Sequence, residues 1–481
     1  MAGTGEWRLF SGMIYPLLAL DMERDTTLVP RSSALVFVAR DPVTDVDHDA
    51  IAGLLDRHAG VRFVVVRLPS AARLEFPFAN SVIDLPLEPA QADVALAIGM
   101  QICLNEGSDC VGAIRTLAAL DLDVASACLL ALHQRPVDAI FLATGEPAKD
   151  AVFVTGRAAF AASFWGALSD GLASQRQDIL AALLGLAGRR VLRHVPYQTS
   201  ITFEPFAGDG TAKLAPYSEQ LRRKLGLMVD KARKPGAARV RRIAVVTPYY
   251  REPDSELERC LLSVRQQTLA CDHIVVSDGF PNPLVDRFGA THVKLGQPHR
   301  DNGNTPRYVG GLIALAQGYD GVAYLDADNW YHPRHVELLV KKQHETGATA
   351  VCSARNIYLA NGIKLLDIDV EDRMRRHVDT SCLMITRSCE FIAHLWGQMP
   401  QSWGPVCDRV VFSALSGEPL AWTENRTLNF KSNYAHHYRN ANQPVPENVH
   451  IIPAALLRSF ALRDRGFQEL SRSRTGRIMG M

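Results

Sequence analysis

Two hydrophobic patterns alternate along the chain. Short unbroken apolar runs at 34–38, 62–66, 139–142 and 152–154 predict buried strands. Between the first two, residues 48–58 carry Ile51, Leu54 and Leu55 at helical spacing. Residues 95–132 are rich in Ala and Leu and predict two or three helices, and a further helical region extends to about residue 186. Strands alternating with helices predict a parallel sheet. Residues 218–230 form an amphipathic pattern with Leu221, Leu225 and Val229 on one face. The pattern sharpens from Ile243. Residues 243–247 read as a buried strand, and Ser255-Glu256-Leu257-Glu258 as a capping box opening a helix through Leu257, Leu261 and Val264. Strands follow at 273–277 and 291–295, and Thr305-Pro306 starts a helix turning Val309, Leu312 and Leu315 inward. A strand at 322–325 then ends in Asp326 and Asp328, with a further helix from Pro333.

The fold class is therefore α/β, with an amino-terminal α/β domain over 1–215. Residues 216–241 are a helix and a basic linker, 242–446 a second α/β domain, and 447–481 a basic tail. The linker holds six cations and no acids between Lys231 and Arg242, broken by Pro235-Gly236. It offers a peripheral contact to an anionic membrane. Composition adds boundaries rather than chemistry. With 47% hydrophobic and 21% charged residues among 481, the chain can bury a sizeable core. A net charge of +1 gives no field for a nucleic-acid partner. Nine scattered cysteines without a Cys-x-x-Cys pair suit a reducing, cytoplasmic compartment. No apolar run reaches the ~18–20 residues of a spanning helix, and the run at 9–20, broken by Pro16, lacks the marks of a signal sequence.

The first 215 residues carry no legible chemistry; Thr144-Gly145 and Thr155-Gly156 read as plain turns. The second domain differs. Three predicted strand ends deliver Glu252, Asp278 and the Asp326/Asp328 pair to one sheet edge, where open α/β sheets gather ligands. Two acids one residue apart beyond a strand end can both turn toward one hard cation, and oxygen ligands suit Mg²⁺ or Mn²⁺. Taken alone, Asp-x-Asp also reads as an acidic turn capping the next helix.

Four ordered blocks narrow the choice. Arg259-Cys-Leu-Leu-Ser-Val-Arg-Gln-Gln-Thr268, Ile274-Val-Val-Ser-Asp-Gly279, Gly303 to Arg307, and Gly318-Tyr319 with Leu325-Asp-Ala-Asp328 resemble the blocks of GT-A glycosyltransferases, specifically family 2. The resemblance spans about 242–446 and leaves 1–215 unrecognised. It implies a GT-A type nucleotide-sugar-binding domain, with Pro248, Tyr250 and Glu252 around the nucleoside and Asp278 on the base. It also implies Arg307 near the diphosphate, Asp326 on ribose or metal, and Asp328 as metal ligand to Mn²⁺ or Mg²⁺. Ser277 and Phe280 depart from the pattern.

Asp408, in Trp403-Gly-Pro-Val-Cys-Asp-Arg409, resembles the acid that deprotonates the acceptor, although Cys407 stands where a second acid is usual. It also reads as a helix cap. Within Lys431-Ser-Asn-Tyr-Ala-His-His-Tyr438, His436 is preferred over His437 as a third metal ligand, and Lys431 or Arg439 as a diphosphate contact. His332 and His335 read as surface residues. Trp396 and Trp403 read equally as sugar platforms or core. The resulting expectation is an inverting, metal-dependent transferase moving a sugar from a nucleotide-sugar donor, UDP being expected, to a saccharide or lipid-linked saccharide acceptor. The alternatives are a sugar-phosphate nucleotidyltransferase and a non-catalytic nucleotide-sugar-binding scaffold.

Overall fold

The computed structural model describes residues 237–365, 378–399, 401–415 and 418–447. Before these it describes residues 7–10, 13–16, 18–19, 33–39, 61–72, 79–114, 139–142, 151–155, 191–196 and 201–205, with isolated positions at 75–76, 125, 128–129, 132 and 449. The helices expected at 48–58, 156–186 and 218–230, most of the basic linker, and the tail from 457 lie outside the described residues. Contacts divide the chain into two compact units, Met1–Met228 with Gly476–Met481, and Val229–Thr475.

In the first unit the apolar runs become strands of a nine-stranded sheet. Ser33–Ala39 pairs in parallel with Val61–Arg67 and Cys110–Ile114. Its seven residues are all buried, as expected of a strand covered on both faces. The purely parallel expectation is corrected: Ala151–Thr155 runs antiparallel to both neighbours, and Ile201–Pro205 is antiparallel to Val191–Pro196. The all-helical reading of 95–132 is also corrected. A helix at Ala92–Asn105 is followed by the strand Cys110–Ile114, a run too short and too small-residue-rich to show period two.

The second unit holds the candidate chemistry. β1 (Ile243–Tyr249), α1 (Asp254–Arg265), β2 (Asp272–Ser277), β3 (Thr291–Lys294), α2 (Asn304–Ala316) and β4 (Gly321–Tyr324) follow the expected order. Next come β5 (Trp330–Tyr331), α3 (His335–Thr346), β6 (Ala350–Tyr358), β7 (Leu383–Thr386), α4 (Phe391–Gln398), α5 (Cys407–Ala414), β8 (Leu420–Lys431) and α6 (Ala435–Asn440). The sheet order is β3-β2-β1-β4-β7-β6-β8-β5. β1 is parallel to both β2 and β4, while β7 runs antiparallel between β4 and β6. The chain thus leaves β1 toward β2 on one side and returns to β4 on the other. The carboxyl ends of β1 and β4 flank the crevice where ligands settle in such sheets.

Helix starts differ from expectation by one or two residues. α1 begins at Asp254 behind Pro253, with no side-chain cap, so the Ser255 capping box does not form. α2 starts at Asn304 behind Gly303, placing Pro306 third. β5 intervenes before α3, which begins at His335 rather than Pro333.

Candidate functional site

Past β1 the chain turns through Tyr250 and Arg251 to Glu252. The Glu252 carboxylate folds back to accept the Tyr250 N–H at 2.7 Å, so a half-buried acid is fixed in the crevice. Burial, the Tyr250 and Glu252 backbone contacts opposing it, and the charges of Asp326 and Glu256 leave its pKa raised. Tyr250 meets Phe280 edge-on with ring centroids 4.9 Å apart, and the Arg251 guanidinium lies 3.8 Å over Phe280. Phe280, at the position departing from the family pattern, thus contributes an aromatic face beside Tyr250.

At the end of β2, Asp278 is only 4% exposed. Its carboxylate accepts from the His299 N–H at 2.9 Å, the His299 ring at 2.7 Å and the Arg300 N–H at 3.3 Å. Asp278 thus anchors the 299–300 loop mainly through Oδ1, its Oδ2 taking only the longer Arg300 contact. That loop then runs through Arg300 and Asn302, both with positive φ (55° and 59°), into α2. Gln401 donates to the carbonyls of His299 and Arg300, tying the loop to the segment that leads to Asp408.

α2 presents Arg307 to the end of β4. Its Nη2 lies 2.5 Å from Asp326 Oδ1, and its Nη1 donates to the Asn302 carbonyl at 2.8 Å. Burial opposes the Arg307 charge most strongly, but the charge and hydrogen bond of Asp326 with the Cys407 and Asp379 charges together outweigh it, and the pKa stands above its ordinary value. The acidic turn is held from below. Ser381 Oγ accepts from the Asp326 N–H at 3.1 Å and from Asn329 Nδ2 at 3.2 Å. Asn329 Oδ1 in turn accepts the Lys431 N–H at 3.0 Å.

Asp328 is the most perturbed acid of the group. Its pKa is pushed well up by burial, then by the charges of Asp326, Glu252, Asp379 and Glu256. Asn433 Nδ2 lies 3.3 Å from its Oδ2, and Arg259 Nη2 donates to its carbonyl at 3.0 Å. Acids scattered from 252 to 379 in sequence therefore share one field. The donor set is hard oxygen, which fits Mg²⁺ or Mn²⁺, and the excess negative charge is what a divalent cation relieves. Asp326 and Asp328 are the residues that would hold it. Among the described residues no three His, Cys, Asp or Glu side chains are close enough to form a complete protein ligand set.

His436, the expected third ligand, is exposed on α6, its ring 4.1 Å from that of His437. His437 is buried and bonded to Ser432 Oγ at 2.6 Å. The segment is a helix packed by Ala435, His437 and Tyr438. Lys431, expected near a diphosphate, pairs with Glu256. His335 is corrected from surface to core: it is fully buried, stacked 3.8 Å from Tyr331 and bonded to Thr427 Oγ1 at 2.8 Å. His332 is exposed as expected. Trp396 is core, edge-on to Tyr324 at 5.7 Å with Arg307 5.0 Å over its ring.

Asp408 lies in the first turn of α5, half-buried, and accepts the Arg409 N–H at 2.7 Å. Its charge reaches Asp379, Cys407 and Tyr434, contributing to the raised pKa of each. Asp379 is a further acid of this field. It caps a 3₁₀ turn through Ser381 N–H at 2.9 Å and pairs with Arg355 at 3.2 Å. Burial raises its pKa, Arg355 lowers it, and Asp326 and Asp408 raise it further. Asp379 thus links the acidic turn to Asp408. The Asp-Thr-Ser string at 379–381 is a capping signal and could have marked it; nothing local marks Asn433.

No protein-family profile matches the chain, and no characterised relative matches it in sequence. Solved structures do align with it. S. aureus TarS aligns over 41% of this chain and 38% of its own, at 12% identity and a TM-score of 0.33. S. aureus TarS 1-349 in complex with UDP aligns over 48% and 74%, at 12% identity and 0.35. The mannosyltransferase PcManGT from Pyrobaculum calidifontis, in complex with GDP-Man and Mn2+, aligns over 56% and 78%, at 15% identity and 0.34. The chain spans 38% of the length of the first of these. Among the described residues no helix is long and apolar enough to cross a membrane.

Proposed function

We propose that the second unit is an inverting glycosyltransferase of the family 2 type, moving a sugar from a nucleoside-diphosphate donor, UDP-linked in the first instance, to an acceptor hydroxyl. The observation that carries this reading is the acidic turn after β4. There Arg307 grips Asp326 while Asp328 is left with a raised pKa among four other acids. A pocket of excess negative charge beside a buried arginine suits a divalent ion and a diphosphate together.

In this reading the nucleoside lies against Tyr250 and Phe280 at the ends of β1 and β2. Asp278 holds the 299–300 loop that borders the base and offers it the Oδ2 side of its carboxylate. Arg307 faces the diphosphate, and Asp326 and Asp328 hold Mn²⁺ or Mg²⁺. Once bound, the metal stabilises charge on the departing diphosphate. Asp408 takes the acceptor proton at its carboxylate as the acceptor oxygen attacks the anomeric carbon opposite the leaving group. The acceptor, a saccharide free or lipid-linked, lies between α5 and Asp379. Pro248-Tyr249-Tyr250-Arg251 is not the Gly-rich phosphate loop a nucleotidyltransferase needs after its first strand.

The experiment is nucleotide release from a panel of UDP- and GDP-sugars with a hydroxyl acceptor pool, products read by mass spectrometry. Asp408→Asn is expected to keep donor binding and lose transfer. Donor binding with no transfer in the wild-type chain would favour the scaffold alternative.

A further inference from the structure

A second pocket lies on the other side of the acidic turn. The outward face of α1 and the β5 segment border an open groove of about 440 Å³, inside the roughly 300–1,000 Å³ range of small-molecule sites. α1 supplies Glu258, Arg259, Leu262 and Gln266, while Trp330 and His332 form the facing wall. These fall on one helical face at spacings of three and four.

The lining is chemically mixed. Leu262 is 36% exposed, a large apolar side chain open to solvent at the pocket wall. Among the described residues, neither the Glu258 carboxylate nor the Gln266 side-chain amide has a hydrogen-bond or ionic partner. The Arg259 guanidinium is stacked 3.8 Å over Trp330 and gives Nη2 to the Asp328 carbonyl, yet its buried Nε has no partner. A buried unmet donor of this kind is rare in folded proteins. An anionic ligand is disfavoured by Glu258 and by the prior use of Arg259. A purely apolar ligand would bury Glu258 and Gln266 without partners, which is unfavourable. Hydroxyl groups, which both donate and accept, satisfy a carboxylate and an amide together. The C–H face of a sugar ring covers Leu262 and the edge of Trp330.

We infer that this pocket is a second saccharide-binding site, taking an uncharged mono- or disaccharide unit behind the acidic turn and distinct from the strand-end crevice. The pocket stands on its own lining and is independent of the transferase reading. Through Arg259 it touches the backbone of Asp328, but no side chain assigned to transfer lines it.

The test is calorimetric titration of the whole chain with cellobiose, maltose and N,N′-diacetylchitobiose. One of them is expected to bind saturably, with a Kd of about a millimolar. Binding is expected to weaken at least tenfold in Glu258→Ala and in Leu262→Glu, and to persist in Asp328→Asn. Urea unfolding is expected to be unchanged in the two pocket variants, which checks that they fold. Absence of saturable binding by all three sugars would overturn the inference. So would binding that survives both pocket substitutions or that disappears in Asp328→Asn. Failure of the transferase reading would leave the expected pattern intact.

Discussion

Arg307 on α2 and Asp326 after β4 stand 2.5 Å apart, and this pair fixes the position of the acidic turn relative to the helix. The Arg307 side chain is 5% exposed and that of Asp326 26%. Removing the cation would leave a poorly solvated carboxylate beside Asp328. Arg307→Met is expected to destabilise the second unit by about 3 kcal/mol, the low end for a broken buried pair because Asp326 retains some water. Urea unfolding measures this. Arg307→Lys should recover part of the loss without restoring the fork that reaches both Asp326 and the Asn302 carbonyl.

Gly279 links Asp278 to the loop it holds. Its φ is +82°, and a Cβ there would sit 2.4 Å from Pro298 N and 2.6 Å from Gln297 C, both backbone atoms. Gly279→Ala is expected to cost about 2 kcal/mol or more, combining left-handed strain of ~1–3 kcal/mol with displacement of 297–299. Gly362 has the same φ, +83°, but open space around it. Gly362→Ala should therefore cost about 1 kcal/mol. Equal losses in thermal or urea unfolding would show that the 297–299 contact is not real.

Two histidines make stability acid-sensitive. Burial holds His273 at about 3, and burial together with the His332 charge holds His335 at about 3. Each folded pKa lies below the unfolded value, so the unfolded state binds more protons at low pH. Above about pH 6.5 both states are neutral and neither histidine affects stability. Between there and pH 3 stability falls by up to about 1.4 kcal/mol per pH unit per histidine. His335→Asn should be less stable at pH 7 yet show a shallower loss between pH 6.5 and 4. Urea midpoints across that range would give the two slopes, and parallel slopes would remove His335 as a cause.

Much of this architecture was legible because the strands of the second unit are unbroken apolar runs ending in acids. β1, β2 and β4 needed only that pattern to be placed, and the convergence of Glu252, Asp326 and Asp328 follows from it. Helix starts were less legible. Pro253 and Gly303 set the entries of α1 and α2, overriding the local Ser255 and Thr305-Pro306 signals. His335 was misread because a histidine beside Pro333 resembles a surface turn, whereas Tyr331 and Thr427, 92 residues away, bury it. The contacts of Asp278 with His299 were not legible, because they close across 21 residues of chain. Asp379 and Ser381 belong to a local capping string that could have marked them, whereas Asn433 enters the site through a tertiary pairing with Asp328 that no local pattern encodes.

The convergence of these acids on one divalent ion is tested most directly by UDP titration, with and without Mn²⁺, of the wild-type chain and of Asp328→Asn. Mn²⁺ is expected to tighten UDP binding to the wild type at least tenfold, about 1.4 kcal/mol, and to leave Asp328→Asn unchanged. Equal UDP affinity in the wild type with and without the metal would contradict the account.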